Sequence, residues 1–197
     1  MGNKQEPTIS IKSTAGVYID GSNIYHGGKV AGWQMSYPNM KSFLERKYTL
    51  TAMSYYNSTG YAQDKKGGYL KNDKGEYITD PGALRFENTL RGLGIRVVTK
   101  PLKFIEKDEQ KPSNKMDGDL MVDSVMESQK WETLVLLSGD CDFERLVKQM
   151  VSNSQSVHIF SFESRMSHEL KMLSLQSPYV TYTPIDDLRS VLEYVRK

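Results

Sequence analysis

The sequence is poor in cysteine and lacks any long hydrophobic run. Cys141 is the single cysteine among 197 residues, which excludes an intrachain disulfide and favours a reducing compartment. No apolar segment approaches the length that a transmembrane helix needs. The first ten residues, MGNKQEPTIS, lack the apolar core of a secretory signal. We therefore expect a cytoplasmic protein that does not associate with a membrane.

A strong charge bias is also missing. The 26 basic and 24 acidic residues leave a formal net charge of +2. This balance permits a polyanionic partner, but any nucleic-acid surface must then come from a local patch. The length suits one domain. We expect a loose tail over residues 1–14 and a single domain over 15–197, with an insertion at about 58–80 and no internal repeat.

Strand patterns alternate with helical patterns along the chain. Apolar runs predict strands at 15–20, 50–57, 95–99, 133–138, 156–162 and 179–183. Apolar residues at helical spacing predict helices near 40–48, 81–93, 117–130, 143–151, 166–175 and 188–195. Within the insertion, YLKNDKGEYI predicts a small hairpin around Asn72–Gly75. The alternation favours an α/β fold, in which a parallel sheet has helices on both faces.

Acidic residues stand where two of the predicted strands end. Asp20 closes the first strand, and Asp140 and Asp142 follow the strand at 133–138 in the stretch LLSGDCDF. Gly139 fits a tight turn between that strand and the next helix. Ligands of open α/β sheets bind beyond the carboxyl ends of the strands. If the two strands are neighbours, Asp20 and Asp140 meet at one edge of the sheet.

A third acidic group, KMDGDLMVD, opens the helix predicted at 117–130. Asp117 and Asp119 lie at its start, and Asp123 follows one turn later. Clustered carboxylates raise one another's pKa values, and a bound cation relieves that repulsion. Oxygen ligands alone select hard ions such as Mg²⁺ or Mn²⁺. Such a site suits phosphodiester hydrolysis by a metal-activated water, with room for a second metal about 4 Å away.

Structural roles compete with metal binding for several of these residues. Asp117 or Asp142, taken alone, fits a helix cap better than a metal ligand. Asp123 fits an ordinary exposed helix residue equally well. Asp20 and Asp140 are harder to explain in this way, because each follows an apolar strand.

Four motifs carry a resemblance to a known family. They are VYIDGSNIYHG (17–27), KMDGDLMVDSV (115–125), LVLLSGDCDFERLVKQM (134–150) and SHELKMLS (167–174). Together they resemble the NYN family, in its LabA-like branch within the PIN-like nuclease superfamily. The resemblance implies a Rossmann-like, three-layer α/β/α PIN-like fold with a mainly parallel central sheet. It also implies metal-dependent cleavage of RNA.

The resemblance extends to individual positions. Four aspartates match the family's catalytic, metal-binding positions, namely Asp20, Asp117, Asp140 and Asp142. Asp119 matches a further acidic position and is a candidate metal ligand, while Asn23 and Ser138 match polar positions beside the site and are candidates for substrate binding. Two features depart from the family pattern. The usual acidic residue near the last strand is absent from SLQSPYVTY, and the insertion at 58–80 is not a general feature.

Two lysine-rich segments are candidates for phosphate contact. Lys103 and Lys115 belong to the loop at 101–115, and we take them as substrate-binding candidates. The insertion interleaves lysines with tyrosines that could stack on the bases of a single strand, and these residues are Lys65, Lys66, Lys71, Lys74, Tyr61, Tyr69 and Tyr77. A solvated loop is the alternative for both segments, and it is favoured for 65–74.

The sequence thus predicts a ribonuclease that uses Mg²⁺ or Mn²⁺ and acts on single-stranded RNA. One alternative is a non-catalytic regulatory module that binds RNA or a nucleotide with the same fold. Another is a nuclease acting on DNA, or a phosphatase acting on small phosphates. A homodimer is left open.

Overall fold

Two stretches of the chain, residues 12–101 and 116–195, are described by the computed structural model. They form one sheet, whose strands are β1 (Thr14–Asp20), β2 (Thr49–Ser58), β3 (Arg96–Lys100), β4 (Thr133–Leu137), β5 (Ser156–Ser161) and β6 (Val180–Pro184). Every pairing is parallel, and the spatial order is β3-β2-β1-β4-β5-β6. All of the strands predicted from the sequence are present.

Side chains of the central strands alternate between two cores. On β1, Val17 and Ile19 face one apolar cluster, whereas Tyr18 faces the other. All residues of β4 are buried, as expected for the interior strand of a parallel sheet. The sheet therefore needs a helical layer on each face.

The described residues supply those two layers. The helices are α1 (Gly21–Ala31), α2 (Tyr37–Lys47), α3 (Pro81–Gly92), α4 (Asp117–Glu127), α5 (Glu144–Ser152), α6 (His168–Gln176) and α7 (Arg189–Leu192). Buried residues of α1, α2, α3 and α7 belong to one core cluster, and those of α4, α5 and α6 belong to the other. The predicted three-layer α/β/α fold with a parallel sheet is confirmed.

The strand order places a switch point between β1 and β4. From β1 the chain moves outward to β2 and β3, and it then returns to β4 and proceeds to β5 and β6. The connections leaving β1 and β4 therefore run to opposite faces of the sheet, which opens a crevice at their carboxyl ends. Ile19 pairs with Leu137, so Asp20 lies beside Ser138 at this crevice.

Helix α1 was not predicted from the sequence. Its sequence, GSNIYHGGKVA, contains Gly21, Gly27 and Gly28, which lower intrinsic helix propensity. Tertiary contact explains these glycines, because a Cβ at Gly27 would overlap the Phe162 ring and one at Gly28 would overlap the Trp33 carbonyl oxygen. Close packing of α1 therefore requires glycines, and the same glycines lower the helix propensity by which the sequence would have revealed α1.

The chain ends of the domain also differ from expectation. Strand β1 begins at Thr14, so the predicted tail over 1–14 overlaps the strand by one residue. The last helix is shorter than predicted, because α7 ends at Leu192 and Val195 lies outside it and is exposed. Within the described residues, no helix is both long enough and apolar enough to cross a membrane.

The insertion contains an internal repeat, so our expectation of none was wrong. GYAQDKKG (60–67) is followed directly by GYLKNDKG (68–75), and EYITD (76–80) begins a third, partial unit. Backbone hydrogen bonds join the three units into a ring. Leu70 N donates to Ala62 O (2.9 Å), Ile78 N donates to Leu70 O (3.0 Å), and Ala62 N closes the ring on Ile78 O (2.8 Å).

Each unit turns at an equivalent position. Asp64 Oδ1 accepts from Lys66 N and Gly68 N, and Asn72 Oδ1 accepts in the same way from Lys74 N and Glu76 N; in the third unit Asp80 Oδ1 accepts from Ala83 N and caps α3. Gly67 and Gly75 complete the first two turns with positive φ angles of 88° and 79°. The predicted hairpin around Asn72–Gly75 is therefore one side of a closed three-unit ring.

Candidate functional site

Asp20 lies at the centre of the crevice, where it ends β1 and caps α1. Its Oδ1 accepts from the backbone N–H of Asn23 (3.0 Å), and its Oδ2 accepts from the Ser138 hydroxyl (3.0 Å). The residue is 9% exposed. These bonds fix the carboxylate in one orientation and join the end of β1 to the end of β4.

Asn23 and Ser138 hold the two strand ends together. Asn23 Oδ1 accepts from the N–H of Gly139 (3.2 Å), and the Ser138 Oγ accepts from the N–H of Asp140 (3.3 Å). Both side chains are buried. We predicted them as substrate-binding residues, and their hydrogen bonds here position Asp20 and Asp140.

After β4, the residue that caps the following turn is Asp140 and not Asp142. Asp140 Oδ1 accepts from the N–H of Asp142 (3.0 Å) and caps the short 3₁₀ turn at Cys141–Phe143 that leads into α5. Potential ligand atoms of Asp140, Cys141 and Asp142 lie within 4.8 Å of one another. Asp117 does not cap either, because the cap position of α4 is Met116 and makes no side-chain cap bond.

Three of the predicted aspartates line one cleft of about 220 Å³ at the switch point. The described residues that line this cleft are Asp20, Ser22, Asn23, Tyr56, Asn57, Ser58, Met116, Asp117, Asp140 and Arg165. Asp20 comes from β1, Asp117 from the first turn of α4, and Asp140 from the turn after β4. The convergence of three separate acidic motifs therefore takes place in the fold.

Asp119 and Asp142 are not among the described residues that line the cleft. Asp119 points to the outer strand β3, where its carboxylate pairs with Lys100 Nζ at 2.6 Å. Asp142 is exposed at the rim beside Asp140. Five aspartates were predicted as metal ligands, and three of them are among the described residues that line the cleft.

Asp123 anchors α4 to the sheet. Its Oδ2 accepts from the Tyr56 hydroxyl (2.8 Å) and from the Arg96 guanidinium (2.9 Å). Arg96 also donates to Tyr56 and Ser54, so β2, β3 and α4 share one polar network. This network fixes the helix whose first turn carries Asp117, and Asp123 is neither a simple exposed residue nor part of the cleft lining.

The electrostatics of the cleft suit a cation. Burial raises the pKa of Asp20, and the negative charge of Asp140 adds to this, although the hydrogen bonds from Asn23 and Ser138 act in the opposite direction. The donor atoms that Asp20, Asp117 and Asp140 offer are all oxygens, which hard divalent ions prefer. Because each carboxylate oxygen has two lone pairs, the bonded oxygens of Asp20 retain capacity for a ligand. The residues present therefore fit Mg²⁺ or Mn²⁺.

Cys141 is a poor candidate for a nucleophile. Partial desolvation and the neighbouring Asp140 and Asp142 carboxylates raise the pKa of its thiol. The thiol is therefore protonated near neutral pH, and the thiolate is the reactive form.

Arg165 and the polar end of β2 were missed by the sequence analysis. Arg165 lies in the 3₁₀ turn Glu163–Arg165 after β5, and Asn57 and Ser58 end β2. The strand-end rule that identified Asp20 and Asp140 applies equally to these strands. Sequence analysis applied it to acidic residues alone, which is why these neutral and basic positions were overlooked.

Of the two lysine-rich segments that are candidates for phosphate contact, only the insertion lies within the described residues. Lys103 and Lys115 lie outside the described residues. The four lysines of 59–80 are exposed, and four acidic residues of the same segment balance their charge. The tyrosines contact one another, with ring centroids 5.5 Å apart for Tyr61 and Tyr77 and 6.3 Å apart for Tyr69 and Tyr77. A solvated ring suits this segment better than a basic surface.

Comparison with known proteins gives three consistent matches. The model of the NYN domain family matches residues 14–176. The low amplitude and bright protein LabA of Synechococcus elongatus is 23% identical over 189 residues, which cover 92% of this chain and 88% of that protein. A crystal structure of a Vibrio parahaemolyticus protein of unknown function superimposes with a TM-score of 0.65 at 17% identity, covering 92% of this chain and 96% of the other. That structural match supports the fold alone.

Proposed function

Because this chain belongs to the NYN domain family of the PIN-like superfamily, we propose that it is a metal-dependent ribonuclease. The observation that carries the proposal is the convergence of Asp20, Asp117 and Asp140 on one cleft at the switch point of the sheet. NYN domains are generally nucleases, and the cleft has the oxygen donors that such chemistry needs.

In this proposal, Asp20, Asp117 and Asp140 hold Mg²⁺ or Mn²⁺. The cation supplies positive charge that activates water and stabilises the phosphate oxygens. Water attacks the phosphorus, the bond to the leaving oxygen breaks, and that oxygen takes up a proton. Asn23 and Ser138 keep Asp20 and Asp140 oriented through the hydrogen bonds that join β1 to β4. Asp142 at the rim contributes to the ion's outer surroundings.

Single-stranded RNA is the substrate we infer. The cleft is small, at about 220 Å³, and it is bordered by the neutral polar residues Asn57 and Ser58 at the end of β2. A small polar cleft has room for an unpaired strand more readily than for a duplex. DNA and small phosphate esters are the competing substrates, and side-by-side assays with all three separate them.

The test compares RNA cleavage by the wild type with cleavage by Asp20→Asn and Asp140→Asn, in Mg²⁺ and in Mn²⁺. We expect both variants to lose at least about a hundredfold in rate, because each loses a charged ligand. Asparagine keeps the oxygen that caps α1 or the 3₁₀ turn, so folding is retained. Asp187→Asn, an exposed position outside the cleft, is the matched control. Wild-type rates in both site variants would refute the assignment.

A regulatory module that binds RNA or a nucleotide without cleaving it is the second candidate. The absence of an acidic residue from SLQSPYVTY and the pairing of Asp119 with Lys100 favour it, because both reduce the carboxylates available to a second metal. RNA binding without turnover in either metal would support this alternative.

A further inference from the structure

Arg165 introduces a positive charge among the described residues that line the cleft, which are otherwise acidic or neutral. It is the one basic residue of that described lining, which it shares with Asp20, Asp117 and Asp140. An arginine beside three carboxylates would ordinarily pair with one of them. Among the ion pairs of residues 12–101 and 116–195, however, none involves Arg165.

The backbone of the Arg165 turn is clamped against the acidic turn. The N–H of Ser167 donates to the carbonyl oxygen of Gly139 (2.8 Å), and the N–H of Arg165 donates to Phe162 O (2.9 Å). At the start of the same turn, the N–H of Glu163 donates to the Asp186 carboxylate (2.8 Å). The position of residue 165 is therefore fixed although its side chain is exposed.

Gly139 is what allows this approach. A Cβ at residue 139 would overlap the carbonyl oxygen of Arg165 and the hydroxyl of Ser161. The glycine has no positive φ, so a special backbone conformation does not explain it. Its role is to let the backbone of the turn after β5 come close to the turn that carries Asp140, which places Arg165 in the lining of the cleft.

A substrate phosphate gives this guanidinium a partner. Three carboxylates with one divalent ion carry a residual negative charge that repels an incoming phosphodiester. An arginine on the flank offsets that repulsion, and its planar fork matches two phosphate oxygens. Asn57 and Ser58 border the opposite, β2 side of the cleft, so among the described lining residues the positive charge belongs to the side next to β5.

We propose that Arg165 binds the phosphodiester of the RNA strand and holds it beside the acidic centre. The inference rests on the proposed function, because it takes the same cleft and the same class of substrate. It adds a substrate-binding residue. It also gives the path of the RNA strand, which crosses the carboxyl ends of β4 and β5.

The experiment measures binding of a short, fluorescein-labelled, single-stranded oligoribonucleotide by anisotropy in Ca²⁺, with gel analysis afterwards to verify that the probe is intact. We expect Arg165→Ala to bind about 10- to 100-fold more weakly than the wild type, the loss typical of a charge-assisted contact. The dependence of affinity on salt should fall by about one ion. Arg165→Lys keeps the charge but loses the planar fork, so its affinity should lie between those of Arg165→Ala and the wild type.

Two further measurements make the result specific. Arg46→Ala removes an exposed arginine near the end of α2, which leads into the start of β2 and so lies away from the carboxyl ends of the strands; this variant should bind like the wild type. Mn²⁺ binding in the absence of RNA, followed by electron paramagnetic resonance, should be no weaker in Arg165→Ala than in the wild type, because the variant loses only a positive charge. Circular dichroism verifies that each variant is folded.

Equal RNA affinity and equal salt dependence in the wild type and Arg165→Ala would overturn the inference. A lysine variant as weak as the alanine variant would also overturn it, because the effect would then not follow charge. Failure of the wild type to cleave RNA would instead refute the proposed ribonuclease. The binding comparison needs no turnover and decides on Arg165 in either case.

Discussion

At the scale of single residues, buried polar side chains are of two kinds: some border the cleft, and others are hydrogen-bonded within the core. Asp20 and His158 are both buried, yet their surroundings differ. Asp20 opens onto a cleft with two other carboxylates, where the proposed cation would relieve its unfavourable burial. His158 is bonded within the protein, to the Tyr48 hydroxyl at Nδ1 (2.7 Å) and to the Thr183 hydroxyl at Nε2 (2.8 Å).

His158 makes the stability of the protein sensitive to mild acid. Burial, together with the positive charge of Lys47, lowers its pKa to about 4, against about 6.5 in the unfolded chain. Above pH 6.5 the histidine is neutral in both states. As the pH falls from 6.5 towards 4, the His158 imidazole becomes protonated in the unfolded state but stays neutral in the folded state. The free energy of unfolding should therefore fall by up to about 3 kcal/mol over that range.

Urea unfolding of the wild type and His158→Gln at several pH values between 7 and 4.5 measures this effect. The glutamine variant has a lower stability throughout, but we expect its stability to change less with pH. Carboxylates contribute equally to both proteins, so the difference between the two curves isolates the histidine. Parallel curves would contradict the prediction.

At the scale of elements, the cleft depends on how α4 is tied to the sheet. Arg96→Met removes the donor to Ser54, Tyr56 and Asp123 while keeping much of the side-chain volume. The network is partly exposed, so we expect a loss of about 1–2 kcal/mol in the free energy of unfolding. RNA cleavage at temperatures where the variant is fully folded should also fall, because Asp117 sits on the helix that loses its anchor. Lys148→Met, which removes a surface pair on α5, is the control. Full activity in Arg96→Met would show that α4 does not need this network.

Elements also show what sequence can and cannot predict. Strands β1 and β4 were predicted because continuous apolar runs are typical of buried parallel strands. Helix α1 was missed because Gly21, Gly27 and Gly28 lower its propensity, and the contacts that stabilise it come from distant residues such as Phe162.

The residues of the cleft also divide into those marked by a local sequence pattern and those placed by contacts between distant residues. Asp20 and Asp140 were predicted because a carboxylate directly after an apolar strand is unusual, and Asp117 because it belongs to an acidic cluster that resembles a family motif. Arg165 follows β5, but its place in the cleft depends on the packing of its turn against Gly139, which the sequence does not show. Asp119 resembled the other aspartates in sequence, but Lys100 on the neighbouring strand β3 draws it away.

At the scale of the whole molecule, the proposed metal binding would be linked to folding. The three cleft carboxylates come from three separate segments, and Asp20 lies nearly a hundred residues before Asp117 in the chain, so the unfolded state has no comparable site. Mn²⁺ at about a hundred times its dissociation constant should stabilise the protein by about 2.7 kcal/mol. For a chain of this size, that corresponds to a rise of roughly 5–10 °C in Tm.

Thermal unfolding with Mn²⁺ and with excess EDTA measures the shift. Asp20→Asn should show little or no shift, whereas Asp187→Asn should behave as the wild type. Equal shifts in all three proteins would place the stabilising metal elsewhere on the molecule.

The ring in the insertion has a consequence for how this segment can change over time. Its last unit bonds back to its first, through Ala62 N and Ile78 O, so all three places around the circle are filled. A fourth copy of the eight-residue unit would find no vacant place, and the loss of one copy would leave unpaired N–H and C=O groups. The turns themselves tolerate few changes, because Asp64 and Asn72 hold them and Gly67 and Gly75 take positive φ angles. Insertion or deletion of one whole unit is therefore expected to open the ring.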